Sequence, residues 1–256
     1  MTALRLVERE FVEEEAARAP HGLPPIQEKR SFVQRLFTNI APRYDWFNRL
    51  ASCGIDQRWR RQAVRRGGIE PGQQVLDVCA GTGDLAMLCA TRQQGAGQVV
   101  GIDMNPEMLA VGRRKQRARR LAIAWCQGDA ERLPFASGSF DRVLIGFSTR
   151  NLSDLSQGLQ ELVRVLRPQG RLIILETGYP SHPALRAGYQ LFLFTVARGI
   201  GWLLTGRAWP FTYLARSVRQ FLTPGQFMER LQRVPASVEY VPLSRGLASL
   251  YLVTKR

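Results

Sequence analysis

From residue 74 onward, short apolar runs alternate with amphipathic segments, and this alternation restricts the fold more than any other feature of the chain. Each run is short enough for a strand, and each amphipathic segment places its apolar residues at helical spacing. Such a pattern is typical of a parallel sheet covered by helices on both faces. The apolar runs are QVLDVCA, QVVGIDM, IAWCQGD, DRVLIGFS and RLIILET. We therefore predict an α/β fold.

The segments on either side of this core have other patterns. Before it, a helix is predicted whose apolar residues share one face; they are Phe32, Val33, Leu36, Phe37 and Ile40. After it, the tail holds VEYVPLS and GLASLYLVTK with a turn between them. Two such runs are expected to pair antiparallel at an edge of the sheet.

A glycine loop follows the first predicted strand. Gly81, Gly83 and Ala86 satisfy the G-x-G-x-x-G/A spacing at a helix start, where glycine lets the backbone approach a ligand. Asp103 ends the next strand, 20 residues after Gly83, where a carboxylate can hold both hydroxyls of a ribose. Together they predict a nucleoside-containing cofactor, and a tight turn without a ligand is the alternative.

Three further residues narrow the choice of cofactor. Asp77 precedes the glycines at the end of the first strand, where a carboxylate orders the loop or meets a ligand ammonium group. After the third run, Asp129 can accept a hydrogen bond from an adenine amino group while Ala130 donates its backbone N–H to the ring. NAD has no obvious use for these elements, so we favour a cofactor that joins adenosine to an amino acid.

The formal charge of +15 favours a polyanionic partner surface, such as nucleic acid or acidic lipid. Arginine-rich segments lie at 57–66 and 113–120, and a solvated helix face is the alternative interpretation of both. The four cysteines show neither zinc spacing nor the density of a disulfide scaffold, which predicts a reducing cytoplasm and no metal. Residues 188–204 are the most apolar stretch, but Arg198 interrupts them, so no membrane span is predicted.

Five motifs in chain order resemble those of the class I S-adenosylmethionine methyltransferases: D-x-C-A-G-T-G-D, I-D-M, G-D-A-x-x-L-P-F, S-F-D-R-V and V-L-R-P-x-G. Three blocks, at 37–64, 146–151 and 213–221, further resemble the demethylmenaquinone and ubiquinone biosynthesis C-methyltransferases. The resemblance covers nearly everything after residue 30. It implies a Rossmann-like sheet, S-adenosylmethionine as cofactor, and methyl transfer to a ring carbon of a polyprenylated quinol.

Demethylmenaquinol is the favoured acceptor, with a ubiquinone-pathway benzoquinol or another small molecule as the alternative. An RNA methyltransferase and a noncatalytic membrane-surface protein are rival functions, but we expect no nucleic-acid partner. The resemblance also implies one methyltransferase domain at 27–256. A flexible extension is predicted before it, at 1–26. The predicted parts of the domain are a helical lid (27–70), a cofactor-binding core (71–180), a helical acceptor or lid insertion (181–230) and a C-terminal strand pair (231–256).

The resemblance and the loop chemistry together assign the cofactor to Asp77, Gly81, Thr82, Gly83, Asp103, Met104, Asp129, Ala130 and Gly146. Among these cofactor positions, one departs from the family. Gly146 stands where the family often has serine, so any bond from that side chain must be lost or made by the backbone.

The predicted catalytic residues are Arg150, Asn151 and Tyr44. Arg150 stays protonated, so we assign it to stabilising a quinolate or positioning a water, and a salt bridge that ties the loop is the alternative. Tyr44 is expected to bind a quinol oxygen, and a purely structural role at a helix start is its alternative.

A membrane contact is also expected, because the acceptor would carry a long isoprenoid tail. The predicted apolar lid comprises Leu191, Phe192, Phe194, Val196, Ile200, Trp202 and Leu203, with Arg186, Arg198 and Arg207 facing lipid phosphates. A helix that closes the core and a homodimer contact are the alternatives. The expected location is the cytoplasm, at the inner face of the membrane during contact.

Overall fold

The computed structural model describes residues 23–178 and 180–256. The predicted flexible extension therefore lies almost wholly outside the described residues, as does Tyr179.

Within the described residues, one sheet contains β1 (Gln74–Val78), β2 (Gln98–Asp103), β3 (Ala124–Gln127), β4 (Phe140–Gly146), β5 (Leu166–Thr177), β6 (Ala236–Leu243) and β7 (Ala248–Lys255). The strand order is β3-β2-β1-β4-β5-β7-β6. The strands from β3 to β5 pair in parallel, whereas β7 is antiparallel to both β5 and β6. The predicted sheet and its antiparallel C-terminal edge are confirmed.

The helices of the same residues are α1 (Ile26–Ile40), α2 (Tyr44–Ala51), α3 (Ile55–Arg66), α4 (Asp84–Gln93), α5 (Pro106–Arg119), α6 (Leu155–Arg164), α7 (Pro183–Phe192), α8 (Arg198–Thr205), α9 (Trp209–Gln220) and α10 (Pro224–Leu231). Short 3-10 turns lie at Ala41–Arg43, Thr149–Asn151 and Ser244–Gly246, and a π-helical turn at Leu193–Ala197 joins α7 to α8. Local signals fix several helix starts. Asn105 accepts a hydrogen bond from the Met108 N–H, and Asp154 accepts one from the Gln157 N–H.

Alternate residues of each strand bury their side chains on opposite faces of the sheet. Leu76 and Val78 belong to an apolar cluster with α6 and α10, whereas Val75 belongs to a second cluster with α3 and α4. Both faces are therefore covered, as the alternating pattern predicts.

A third apolar cluster joins helices that are far apart in the sequence. The ring centroids of Phe47 on α2 and Phe211 on α9 are 4.3 Å apart, and those of Phe32 on α1 and Trp209 on α9 are 5.6 Å apart. Helices α1, α2, α7, α8 and α9 thus pack together, and we call them the helical cap. Helix α3 falls within the predicted lid range but packs against the sheet.

Candidate active site

Two adjoining cavities lie between the helical cap and the loops that follow the strands. The first encloses about 950 Å³ and the second about 1520 Å³ of space partly open to solvent. Phe37, Tyr44, Arg60 and Asn151 belong to both walls. Ligands of open α/β sheets bind at the carboxyl ends of the strands, so this is the expected place for a site. A group in one cavity can react with a group in the other across the shared wall.

The predicted cofactor residues surround the first cavity. Asp77, Gly81, Thr82, Asp103, Met104, Asp129, Ala130 and Gly146 line it. Gly83 does not line it, because it caps α4 with a φ of 81° and lies against Trp125. A Cβ at Gly83 would come within 2.3 Å of the Trp125 ring, so helix geometry and packing require the glycine.

Two buried carboxylates order the loop after β1. Asp77 accepts a hydrogen bond of 2.9 Å from the Ala86 N–H. Asp103 accepts one bond of 2.8 Å on each oxygen, from the N–H groups of Gly81 and Asn105. Burial raises the pKa of Asp77 to about 7 and raises the pKa of Asp103. Asp77 thus orders the loop, and the Asp103 carboxylate, with about four lone-pair sites, keeps acceptor capacity for a ligand hydroxyl.

Helix α1 closes the first cavity next to β3. Asp129 accepts a hydrogen bond of 3.0 Å from the Glu131 N–H and forms an ion pair of 2.8 Å with Arg30. The neighbouring Lys29 donates a bond of 2.6 Å to the Leu152 carbonyl. Sequence reasoning missed both contacts, because nothing local to α1 indicates which distant loop it will meet.

The first cavity is anionic although the chain is strongly basic. Its described wall carries five carboxylates (Asp77, Asp84, Asp103, Asp129 and Glu131) and two guanidinium groups (Arg30 and Arg60). An excess of negative charge attracts a cationic ligand and repels a pyrophosphate. The cavity therefore favours a ligand with net positive charge.

The second cavity is lined mainly by apolar and aromatic side chains. Those from the helical cap and its π-helical turn include Leu36, Ile40, Phe47, Phe192, Leu193, Phe211, Leu214 and Val218. The charged groups on its described wall are Asp56, Arg60 and Arg150. Such a lining suits an elongated apolar ligand whose head is polar or anionic.

The three predicted catalytic residues, Tyr44, Arg150 and Asn151, all line the second cavity. Arg150 donates a hydrogen bond of 2.6 Å to Glu176 and another to the Phe147 carbonyl. Both members of the ion pair are buried, with Glu176 only 1% exposed. The salt bridge named as the alternative for Arg150 is present, and the side chain also lies on the cavity wall.

Asn151 is oriented by the Tyr213 hydroxyl, and Tyr44 lies on the same cavity wall. The Tyr213 hydroxyl donates a bond of 3.2 Å to Asn151 Oδ1, so the Asn151 amide N–H groups are directed elsewhere. Burial raises the pKa of Tyr213 to about 12 and raises the pKa of Tyr44. Both phenols are therefore neutral hydrogen-bond donors near neutral pH.

A charged network joins the helical cap to the glycine loop. Lys115 Nζ lies 2.6 Å from Asp45 Oδ2 and 2.5 Å from Asp84 Oδ1. The Thr82 hydroxyl donates a bond of 2.6 Å to Asp45 Oδ1. The sequence does not indicate this role of Lys115, because the residue lies in an arginine-rich segment that is typical of a solvated helix face. Its side chain is only 17% exposed.

Gly146 has no side chain, and a Cβ built there would displace only the flexible end of Leu85. A Cβ there would lie 2.6 Å from Leu85 Cδ1 and 3.7 Å from an Arg60 nitrogen. A contact to a ligand from this position must therefore come from the backbone, as the departure from serine implies.

A sequence model of the ubiE/COQ5 methyltransferase family matches residues 25–255. The chain belongs to this family. It is similar to the demethylmenaquinone methyltransferase of Deinococcus radiodurans, with 39% identity over 236 residues, 91% of this chain and 98% of that protein. The corresponding Thermus thermophilus enzyme is 41% identical over 217 residues, 85% of this chain and 98% of the relative. The ubiquinone/menaquinone biosynthesis C-methyltransferase UbiE of Citrifermentans bemidjiense is 38% identical over 90% of this chain and 99% of that protein.

Solved structures share the fold of this ubiE/COQ5 family member at low identity. A SAM-dependent methyltransferase from Aquifex aeolicus superposes with a TM-score of 0.59 at 16% identity, covering 77% of this chain and 89% of that one. A SAM-dependent methyltransferase from Thermotoga maritima superposes with a TM-score of 0.60 at 16% identity, covering 87% of this chain and 99% of that one. The predicted class I methyltransferase fold and the predicted family are both confirmed.

Proposed function

We propose that this protein transfers the methyl group of S-adenosylmethionine to a ring carbon of a polyprenylated quinol, with demethylmenaquinol as the acceptor. The observation that carries the proposal is that an anionic cavity and an apolar cavity meet at a shared wall. S-adenosylmethionine carries a sulfonium and an ammonium charge against one carboxylate, so it complements the first cavity. A prenylated ring complements the second.

The relatives support a quinol acceptor and favour the naphthoquinol. Those from Deinococcus radiodurans and Thermus thermophilus are demethylmenaquinone methyltransferases, and the one from Citrifermentans bemidjiense is a ubiquinone/menaquinone biosynthesis C-methyltransferase. Menaquinone chemistry is common to all three names. A ubiquinone-pathway benzoquinol is therefore the second choice.

The bound cofactor supplies an electrophilic methyl group. Asp103 accepts hydrogen bonds from the ribose hydroxyls, Asp129 accepts from the adenine amino group and Ala130 donates its backbone N–H to the ring. Asp77 faces the ammonium group of the methionine moiety, and Gly81 lets the loop approach it. The backbones of Thr82 and Gly146 and the side chain of Met104 complete the wall, while Gly83 fixes the start of α4.

The quinol ring lies in the second cavity beside the shared wall. Arg150 stabilises the quinolate, while Asn151 and Tyr44 donate hydrogen bonds to quinol oxygens. The phenolic proton passes to a water molecule positioned by Arg150, and its loss raises the electron density of the ring carbon that accepts the methyl group. The bond from sulfur to the methyl group breaks as the carbon–methyl bond forms, and the ring carbon then releases its hydrogen as a proton to water. The apolar lining excludes water and holds this carbon behind the methyl group, and such positioning supplies on the order of 7 to 11 kcal/mol at best.

A transient contact between the helical cap and the membrane delivers the acceptor. Trp46 and Leu50 on α2 are 59% and 50% exposed, and Trp202 and Leu203 on α8 are 59% and 77% exposed. Helices α2 and α8 contact each other, and α2 also lines the second cavity. This exposed apolar face therefore lies beside the cavity that takes the prenylated acceptor, at the cytoplasmic surface of the bilayer.

The predicted apolar lid divides into two sets. Leu191, Val196, Trp202 and Leu203 are exposed, whereas Phe192, Phe194 and Ile200 pack into the cap. Arg207 donates a hydrogen bond of 2.6 Å to Asn39 on α1, which leaves it less suited to lipid. No helix within the described residues has the length and apolar content to cross a bilayer.

Methyl transfer tests the reaction. Protein, S-adenosylmethionine with a labelled methyl group and reduced demethylmenaquinol are expected to give labelled menaquinol, and the oxidised quinone none. The same assay with a prenylated benzoquinol shows which of the two acceptors is methylated faster. Asp103→Ala should abolish most of the activity by weakening cofactor binding. Cofactor binding without transfer to either quinol would contradict the reaction and favour a noncatalytic protein.

Vesicle sedimentation tests the membrane contact. The wild type should sediment with vesicles that contain anionic lipid, and the Trp202→Ser/Leu203→Ser variant should sediment much less. If the variant sediments like the wild type, and gel filtration shows a dimeric wild type but a monomeric variant, the apolar face is a dimer contact instead.

A further inference from the structure

Arg60 on α3 occupies the junction of the two cavities without an assigned role. Its side chain is 8% exposed and lines both walls. Its guanidinium carbon lies 5.0 Å from the centre of the Phe147 ring. A buried arginine stays protonated, so its charge requires a counter-charge close by.

The neighbouring carboxylates only partly meet that requirement. Arg60 Nε lies 3.5 Å from Asp56 Oδ2 and 4.0 Å from Asp84 Oδ2, and this nitrogen is buried without a hydrogen-bond partner. Asp56 accepts hydrogen bonds from Ser52 and Gln57. Asp84 accepts from Gln57 and Lys115. Both acids are therefore engaged by closer donors than Arg60.

Arg60 lies at one end of the first cavity. A Cβ built at Gly146, the last residue of β4, would be 3.7 Å from an Arg60 nitrogen. Asp77 is the penultimate residue of the neighbouring strand β1, which pairs with β4. The acids proposed to bind the nucleoside are Asp103, the last residue of β2, and Asp129, which follows β3. A ligand whose nucleoside occupies the β2 and β3 end places its amino-acid part beside Arg60.

The amino-acid part carries an ammonium group and a carboxylate, and each needs an opposite charge. Asp77 can face the ammonium group. Arg30, the other cation on the described wall, is paired with Asp129 at the far end. Arg60 is thus the cation of the described wall that lies at the amino-acid end.

We propose that Arg60 binds the carboxylate of the methionine moiety of S-adenosylmethionine. The proposal rests on the proposed function, since it takes S-adenosylmethionine as the ligand of the first cavity. Arg60 also borders the second cavity, so the same contact fixes the end of the methionine chain next to the acceptor.

Calorimetry on the full chain with two ligands tests this role. S-adenosylhomocysteine carries the carboxylate, and 5′-methylthioadenosine lacks the whole amino-acid part. Arg60→Gln should weaken S-adenosylhomocysteine binding by about ten- to a hundredfold, because a charge-assisted bond is lost, and should change 5′-methylthioadenosine binding by less than about twofold. Arg60→Lys keeps the positive charge but lacks the planar guanidinium group. Its affinity for S-adenosylhomocysteine should fall by an intermediate factor, and its affinity for 5′-methylthioadenosine should not change.

Arg58→Gln, an exposed arginine of the same helix, is the matched control and should bind both ligands as the wild type does. Equal losses on both ligands in Arg60→Gln and Arg60→Lys would overturn the proposal and assign Arg60 to packing. Unchanged S-adenosylhomocysteine binding with a raised KM for the quinol would overturn it in favour of the acceptor. A wild type that binds neither ligand would instead contradict the proposed function.

Discussion

The Thr82 hydroxyl donates a 2.6 Å hydrogen bond to Asp45, and this bond ties the glycine loop to helix α2 of the helical cap. Lys115 strengthens the link, because it lies 2.6 Å from Asp45 and 2.5 Å from Asp84. The loop that lines the first cavity and the helix that lines the second thus share one network. We expect cofactor binding and cap closure to be coupled energetically.

Asp45→Ala tests this coupling. The substitution leaves the Thr82 hydroxyl without its acceptor and removes one partner of Lys115. Because these groups are largely buried, the free energy of unfolding should fall by about 1 to 3 kcal/mol, measured in urea. S-adenosylhomocysteine affinity should fall by about three- to tenfold. Glu229→Ala removes an exposed carboxylate on α10 and should change neither quantity. Unaltered cofactor affinity in Asp45→Ala would mean that the cap and the loop are independent.

Asp77 predicts a pH dependence of cofactor binding. Burial raises the pKa of this carboxyl to about 7, so part of the free protein holds it neutral at neutral pH. An ammonium group binds best to the ionised form. S-adenosylhomocysteine affinity should therefore rise as pH rises through about 7 and should be lowest in acid. Asp77→Asn should bind more weakly at high pH and lose most of this dependence. A wild-type affinity that is flat between about pH 6 and pH 8 would argue against a contact between Asp77 and the ammonium group.

Glu176→Gln tests the ion pair beneath the acceptor cavity. The substitution removes the counter-charge of Arg150 while keeping the side-chain shape. Breaking a buried ion pair by removing one partner costs about 3 to 5 kcal/mol, and urea unfolding should show a loss of that size. Glu239→Gln, an exposed glutamate of β6, should unfold like the wild type. A loss below about 1 kcal/mol would mean that water reaches the pair.

The sheet and the glycine loop could be predicted because their signals are local. The strands that contain Asp77 and Asp103 alternate with helices, and the glycines lie within a few residues of the first strand. The partners of the site residues could not be predicted in this way. Arg150 pairs with Glu176, 26 residues further along the chain, and Lys115 pairs with Asp45, 70 residues before it.

Arginine-rich helices illustrate the same limit within a single element. The sequence predicts either a solvated face or an anion-binding face for segment 57–66. In α3, Arg58, Arg61 and Arg65 are exposed, whereas Arg60 points between the cavities. Helical periodicity separates these faces, but it does not tell which face the sheet and the cap will cover, because that depends on tertiary packing.

Tyr213→Phe tests the orientation of Asn151. The substitution removes the hydroxyl that donates to Asn151 Oδ1 and leaves the ring in place, so the amide can rotate. The kcat/KM for the quinol should fall by about tenfold, while S-adenosylhomocysteine affinity stays within about twofold of the wild type. Tyr240→Phe, on edge strand β6, should leave both unchanged. Equal losses in the two variants would show that the Tyr213 hydroxyl has no special role.

Gly201→Ala tests the packing of the helical cap. A Cβ at Gly201 on α8 would lie 2.1 Å from the Phe211 ring, so α8 would have to move away from α9. Overpacking of this kind costs about 1 to 3 kcal/mol, and the free energy of unfolding in urea should fall by that amount. Gly199→Ala is the control, since Gly199 lies in the same helix and no atom is within 4 Å of a Cβ built there. This substitution should stabilise the helix by about 0.5 to 1 kcal/mol. Because Phe211 also lines the second cavity, Gly201→Ala alone should raise the KM for the quinol. Similar stabilities of the two variants would mean that the approach of α8 to α9 is looser than these distances require.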